Sequence, residues 1–278
     1  MCSVQKKKKA RPEWYAAVKK YSKPDLGKSI WQIVNTMVPY IALWALMVYF
    51  YDKNLWITSG AALIAGLLVV RIFIIFHDCG HYSFFKSKKA NKIVGYLTGI
   101  LSFSPFHDWG KDHKLHHATS GNLDKRGFGD IWTLTVEEFM NETKLERFKY
   151  RVYRNPFIIC FIGPIFVFLI KQRFTRKHTG KEGIRSVHLC NLGLAIYSAA
   201  MGFTVGWEKF IVIQLVVMSI AAVAGVWMFY VQHQFEETYW AHHEDWTLVE
   251  SALEGSSFYK LPKILQWFTG NIGFHHIH

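Results

Sequence analysis

Long blocks of apolar residues alternate with shorter basic and histidine-rich segments along this chain. Four blocks are long enough to cross a bilayer as a helix, which takes about 20 residues. They lie at residues 31–50, 55–76, 187–206 and 209–231. Only short links join the first block to the second and the third to the fourth. Since helices satisfy their own backbone hydrogen bonds in lipid, the pattern predicts an all-α integral membrane protein with two transmembrane hairpins.

Two further apolar runs, at 93–106 and 155–170, are too short to be clear crossings. Lys and Arg flank the second run on both sides, and Pro156, Gly163 and Pro164 disfavour one straight helix through it. We therefore predict that both runs are interfacial or re-entrant segments on the inner leaflet.

Basic residues are concentrated on one side of the predicted spans. The chain has 33 Lys and Arg against 20 Asp and Glu, a net charge of +13. With the N-terminus inside, only Lys53 and Lys209 fall in outer links. The positive-inside rule therefore predicts a cytoplasmic N-terminus. Basic segments beside the inner leaflet should bind anionic lipid headgroups, and this explains the charge without nucleic acid, for which the sequence shows no motif.

The chain divides into a basic N-terminal segment at 1–29, predicted to be cytoplasmic, and one membrane domain at 30–278. Within the second span, Arg71 is expected to snorkel towards the headgroups. The four cysteines form no CxxC pair, which is typical of isolated, reduced thiols. Cys79 lies inside a histidine motif, where we expect a small apolar filler rather than a ligand.

Most of the 14 histidines are grouped, and the groups lie on the predicted cytoplasmic side. A helix turns by about 100° per residue, so the histidines of each group that are named below as candidates share one helix face. Imidazole binds Fe, Zn, Cu and Ni, and eight donors exceed the four that one tetrahedral zinc needs. The spacing predicts a site for two metal ions in a cytoplasmic cap. The eight candidates are His77 and His81; His113, His116 and His117; His233; and His275 and His278.

Carboxylates near such a site should orient the imidazole rings through hydrogen bonds. Sequence spacing leaves five candidates open: Asp78, Asp112, Asp124, Asp130 and Glu236. The remaining histidines are expected not to bind metal, because they point away from the groups or lie in polar surface segments. These are His107, His178, His188, His242, His243 and His276.

The ordered motifs resemble those of the integral-membrane fatty acid desaturases, and most of all the bacterial acyl-lipid branch. They are HDCGH at 77–81, HKLHH at 113–117, HQFEETYW at 233–240 and HHIH at 275–278. The resemblance runs from about residue 30 to the end. A histidine after His278 would complete the last motif, so we expect the sequence to stop within that motif.

This resemblance implies a centre of two non-haem irons that uses O₂ to insert a cis double bond into a membrane acyl chain. It assigns the eight candidate histidines as catalytic iron ligands, with His233 the ligand outside the three motifs. It further implies a separate electron donor, of ferredoxin or cytochrome type, and a bacterial plasma membrane as the location.

The sequence leaves two other functions open. A lipid, alkane or carotenoid hydroxylase or ketolase would use the same metal centre, and the sequence does not decide between these outcomes. A membrane metal transporter is a weaker alternative, because transporters place polar ligands near the middle of the bilayer. The interiors of the four predicted spans contain no His, Asp or Glu.

Overall fold

The computed structural model describes residues 22–127, 129–176 and 179–277, where the chain is helical and forms no β-strand. Most of the predicted N-terminal segment (1–21), together with His178 and His278, lies outside these ranges. The prediction of an all-α membrane protein is confirmed. The helices are α1 (Leu26–Phe50), α2 (Leu55–Gly80), α3 (Lys88–Leu101), α4 (Phe106–Thr119), α5 (Val136–Asn141), α6 (Lys144–Tyr153), α7 (Gly163–Leu169), α8 (Lys181–Val205), α9 (Trp207–His233), α10 (Leu248–Leu253) and α11 (Lys263–Phe268).

Four of these helices, α1, α2, α8 and α9, are long and apolar enough to cross a membrane, as predicted. At 1.5 Å per residue, the 26 residues of α2 exceed the hydrocarbon thickness of about 30 Å. The helix starts where the side chain of Asn54 accepts a hydrogen bond from the backbone N–H of Ile57, at 3.1 Å. Its last turn continues beyond the predicted span and carries His77.

Helix α2 is the centre of the bundle, since it packs against α1, α3 and α9. Gly66 permits a close approach of α9, because a Cβ atom there would lie 2.6 Å from Cγ2 of Ile220. Leu68, Ile72 and Val217 are almost completely buried in the resulting core. This packing fixes the position of the last turn of α2 relative to that of α9.

Neither short apolar run forms a single straight crossing. The first run forms the end of α3 up to Leu101, and its remaining residues lead into α4, which begins at Phe106. In the second, a π-helical turn (Ile158–Ile162) follows Pro156, and α6 is bent by 58° from the helical segment Ile158–Arg173. This bent pair has the form of a broken span or a re-entrant loop. The inner-leaflet location of both runs stays a prediction.

Arg71 does not snorkel, and that prediction was wrong. The residue is 7% exposed, and its Nε donates to Oγ1 of Thr36 in α1 at 3.0 Å. Its Nη1 donates to the backbone carbonyl of Trp267 in α11. Because acceptors are available inside the bundle, the guanidinium does not need to reach the headgroups.

Candidate metal centre

The predicted histidines that the structure describes meet at one end of the bundle, opposite the links 51–54 and Gly206. The last turn of α2 and the residue after it supply His77 and His81, and α9 ends at His233. Helix α4 supplies three more histidines, and a 3-10 turn (His275–Ile277) supplies His275. Seven of the eight predicted residues are therefore brought together, and His278 lies outside the described residues.

Four of the rings form one group, called here the four-histidine cluster: His77, His81, His113 and His117. Its centre is His113, whose Nε2 lies 2.9 Å from Nε2 of His77 and 3.0 Å from Nε2 of His81. The Nε2 atom of His117 is also 3.0 Å from that of His113. One ring nitrogen from each of the four residues is therefore available to a single ion.

The other three rings form the three-histidine cluster: His116, His233 and His275. The Nε2 atoms of His116 and His233 are 3.1 Å apart, and the ring centroids of His233 and His275 are 4.7 Å apart. The two clusters are adjacent, because the ring of His116 lies 5.7 Å from that of His117. The arrangement has the form expected for two neighbouring metal ions.

Two carboxylates orient rings in these clusters. Oδ1 of Asp78 lies 2.9 Å from Nδ1 of His77, and Oδ1 of Asp130 lies 2.6 Å from Nδ1 of His116. A carboxylate at Nδ1 favours the proton on that nitrogen and leaves the lone pair of Nε2 directed into the cluster. A third ring has a backbone partner instead, since Nδ1 of His233 lies 3.3 Å from the carbonyl oxygen of Gly255.

The other candidate carboxylates have different partners or positions. Asp112 forms an ion pair with Arg176, and Glu236 is exposed. A hydrogen bond from the backbone N–H of His243, at 2.7 Å, lowers the pKa of Asp124. The structure thus selects Asp78 and Asp130 from the five candidates.

The donor set fits metal ions of the kind that imidazole binds. His116 is 2% exposed and His77 is 3% exposed, so these rings are shielded from water. Burial holds the pKa of His113 well below its usual value, which keeps this ring neutral at pH 7. Ring nitrogens that lie about 3 Å apart form a set of donors that one cation can bind together.

Several contacts around the clusters were missed by sequence reasoning. The indole of Trp109 stacks on the ring of His113, with centroids 4.4 Å apart. Since the two residues are four positions apart in one helix, this contact could have been found from spacing. The Gly255 carbonyl near His233 gives no local sequence signal.

The remaining described histidines belong to neither cluster, and their predicted lack of metal binding stays a prediction. His107 donates its backbone N–H to Oγ of Ser186, and His188 is exposed on α8. Cys79 is also outside both clusters and is buried against apolar neighbours, in agreement with its predicted role as a filler.

Comparison with known proteins gives consistent matches to one family. The family described as "Fatty acid desaturase" matches residues 54–278. A Bacillus subtilis protein named "Fatty acid desaturase" is 47% identical over 258 residues, which is 93% of this chain and 73% of the relative. An "sn-1 oleoyl-lipid 12-desaturase" of Synechocystis is 28% identical over 227 residues, or 79% of this chain. A second Synechocystis protein, "sn-1 acyl-lipid omega-3 desaturase (ferredoxin)", is 27% identical over 201 residues, or 69% of this chain.

The matched region is a smaller share of each cyanobacterial relative than of this chain. It covers 61% of the oleoyl-lipid 12-desaturase and 54% of the omega-3 desaturase. The chain therefore spans less than two thirds of the length of these two relatives.

Proposed function

This chain belongs to the fatty acid desaturase family of oxidoreductases, and on that premise we propose that it inserts a cis double bond into an acyl chain of a membrane lipid. The lipid-linked substrate is supported by the names of the two Synechocystis relatives, which specify oleoyl-lipid and acyl-lipid desaturases. It is also supported by the four apolar helices, since a multi-pass membrane protein has direct access to lipid acyl chains.

The observation that carries the proposal is the pair of adjacent histidine clusters at the end of the bundle. We assign His77, His81, His113 and His117 to one iron and His116, His233 and His275 to the other, with His278 as a further ligand from the sequence motif. Bound there, two non-haem irons would supply the activation of O₂ that no side chain can provide.

The residues of this chain contribute position, orientation and exclusion of water. Asp78 and Asp130 hold the protons on Nδ1 of His77 and His116, so that the Nε2 lone pairs stay available. Trp109 covers one face of His113. Holding one C–C bond of the acyl chain at a fixed distance from the clusters would determine where the double bond forms.

The overall reaction requires electrons from outside the chain. Two hydrogens leave adjacent carbons, and O₂ with two electrons and two protons yields two waters. A separate electron donor of ferredoxin or cytochrome type would supply the electrons. The name of the Synechocystis omega-3 relative specifies ferredoxin for that protein, which supports the ferredoxin type here.

We also propose that the histidine clusters face the cytoplasm across a bacterial plasma membrane. The support is the charge distribution, since Lys53 and Lys209 are the basic residues at the opposite end of the bundle. Basic segments near the clusters, including Lys144–Tyr153, would then contact anionic headgroups.

Fatty acid analysis of cells tests the activity. Cells that express the protein should contain new monounsaturated acyl chains by gas chromatography, and a His116→Ala variant should lack them. His243→Ala is the matched control, because this histidine lies outside both clusters. Hydroxylated products without new monoenes would instead support the hydroxylase alternative.

A further inference from the structure

A buried arginine connects two membrane-spanning helices to the segment that carries the last histidine motif. Arg71 sits in α2 with its Nε bonded to Thr36, and its guanidinium lies over the ring of Trp267, 4.1 Å from the centroid. Its Nη1 donates to the backbone carbonyl of the same Trp267. No carboxylate in the described ranges forms an ion pair with Arg71. The side chain therefore depends on neutral acceptors and on the indole face.

The acceptor in α1 is itself fixed. The hydroxyl of Thr36 donates to the backbone carbonyl of Gln32 at 2.6 Å, which leaves its oxygen lone pairs facing Arg71. Thr36 is completely buried. Arg71 thus has two acceptors in α1, Oγ1 of Thr36 and Oδ1 of Asn35 at 3.5 Å, and one partner in α11.

The segment after Trp267 follows the surface of α2 towards the metal centre. A Cβ atom on Gly270 would lie 2.7 Å from Cγ2 of Ile74, one helical turn beyond Arg71. The side-chain amide of Gln232 then donates to the backbone carbonyl of Ile272 at 2.8 Å. His275 follows directly, so the path of the chain between Arg71 and the three-histidine cluster is short.

A charged group inside a membrane-spanning helix is costly, and such groups usually have a specific role. At Arg71 the cost is offset by contacts with α1, through Thr36, and with Trp267 in α11, where the path to His275 starts. A neutral residue would pack into the bundle without holding this segment.

We propose that Arg71 is a positioning residue for the last histidine motif. Its guanidinium clamps Trp267 onto α2 and thereby places His275 beside His116 and His233. The consequence for iron rests on the proposed function, whereas the clamp itself is a property of the metal-free chain.

Hydrogen–deuterium exchange of the metal-free protein in lipid nanodiscs tests the clamp. In Arg71→Gln, amides in 263–277 should exchange about tenfold faster than in wild type, because a hydrogen bond from a charged donor is lost. Arg173→Gln is the matched control, since Arg173 donates to Cys190, Asn191 and the backbone of Phe103 and forms no hydrogen bond with the described residues 263–277. Unchanged exchange in Arg71→Gln, or an equal increase in Arg173→Gln, would overturn the proposal.

If Arg71→Gln does not fold, a second pair of variants tests the same clamp. Trp267→Leu removes the ring under the guanidinium and should accelerate exchange in 263–277 by a smaller factor. Trp56→Leu, at an 87% exposed position on α2, should leave that segment unchanged. The same exchange rate in both variants would contradict a clamp at Trp267.

Iron content gives a readout that separates the two proposals. Arg71→Gln should lose about half of the iron that wild type binds, because the four-histidine cluster does not use the last motif. Full retention of iron, or its complete loss, would overturn the positioning role. If wild type itself binds no iron, the proposed function fails, while the exchange measurement still decides whether the clamp exists.

Discussion

The Nδ1 atom of His116 lies 2.6 Å from Oδ1 of Asp130, and both side chains are at most 9% exposed. A buried carboxylate in this position fixes which ring nitrogen carries the proton. Residue 130 belongs to the segment between α4 and α5, whereas the ring belongs to α4. One hydrogen bond therefore makes the metal-binding nitrogen of His116 depend on the conformation of a separate loop.

Replacing this carboxylate should weaken metal binding without unfolding the bundle. Asp130→Asn removes the charge that stabilises the Nδ1–H form, and loss of such a partner typically costs about 10- to 100-fold in metal affinity. Titration of the purified metal-free protein with iron(II) measures the change. Asp124→Asn is the control, because its carboxylate contacts His242 and His243 instead. Equal affinities for wild type and Asp130→Asn would show that the contact does not orient the ring.

The loop that carries Asp130 is held by Arg126, and this link should depend on pH. Arg126 donates to the backbone carbonyls of Leu123 and Thr133, each at 2.7 Å, and to the carboxylate of Glu138. Hydrogen bonds from Arg126 lower the pKa of Glu138 to about 2 from an ordinary value of 4.5. Since the folded-state pKa is lowered, the ionised carboxylate stabilises the fold above pH 4.5, and this contribution is lost as the pH falls towards 2.

Glu138→Gln should therefore speed amide exchange in the loop at neutral pH, and in acid, where Glu138 is protonated in wild type too, the two proteins should exchange alike. The difference in amide exchange at 123–138 between wild type and variant is expected to shrink between pH 4.5 and 2. The effect should be modest, because the carboxylate is 39% exposed and is screened by solvent. Glu137→Gln, at the neighbouring position, is the control. A difference that persists unchanged at pH 2 would rule out titration of Glu138 as its source.

The close approach of α2 and α9 should be sensitive to one methyl group. In Gly66→Ala, the new Cβ would lie 2.6 Å from Cγ2 of Ile220, and relieving this overlap should destabilise the protein by about 1–3 kcal/mol. Unfolding in mixed detergent micelles measures this free energy. Gly60→Ala lies in the same helix with no atom within 4 Å of the added Cβ, and it should be neutral or slightly stabilising. Equal stability of the two variants would contradict tight packing at Gly66.

The fold was largely predictable because an apolar block must have about 20 residues to cross the bilayer as a helix, so block length alone identifies the spans. Helices α1, α2, α8 and α9 follow from this relation to within a few residues at most ends. The largest deviations are at the N-terminal ends of α1 and α8 and at the C-terminal end of α2. There, polar residues continue a helix that hydropathy alone would terminate.

The candidate site was predictable where it depends on local spacing and not where it depends on distant parts of the chain. The positions of His113, His116 and His117 on one helix make their convergence a matter of helical geometry. The contact between Arg71 and Trp267 joins residues 196 positions apart, so no pattern in the sequence indicates it. From hydropathy alone, the side chain of Arg71 was therefore expected to extend towards the lipid headgroups.

The iron content of cluster-specific variants tests directly whether the two histidine clusters each hold one iron. The purified wild-type protein should contain about two irons per chain. His117→Ala and His233→Ala should each lose about one, and the double variant should lose both, while His188→Ala retains the wild-type content because it lies outside both clusters. Wild-type iron content in the double variant would show that the two clusters do not hold the iron.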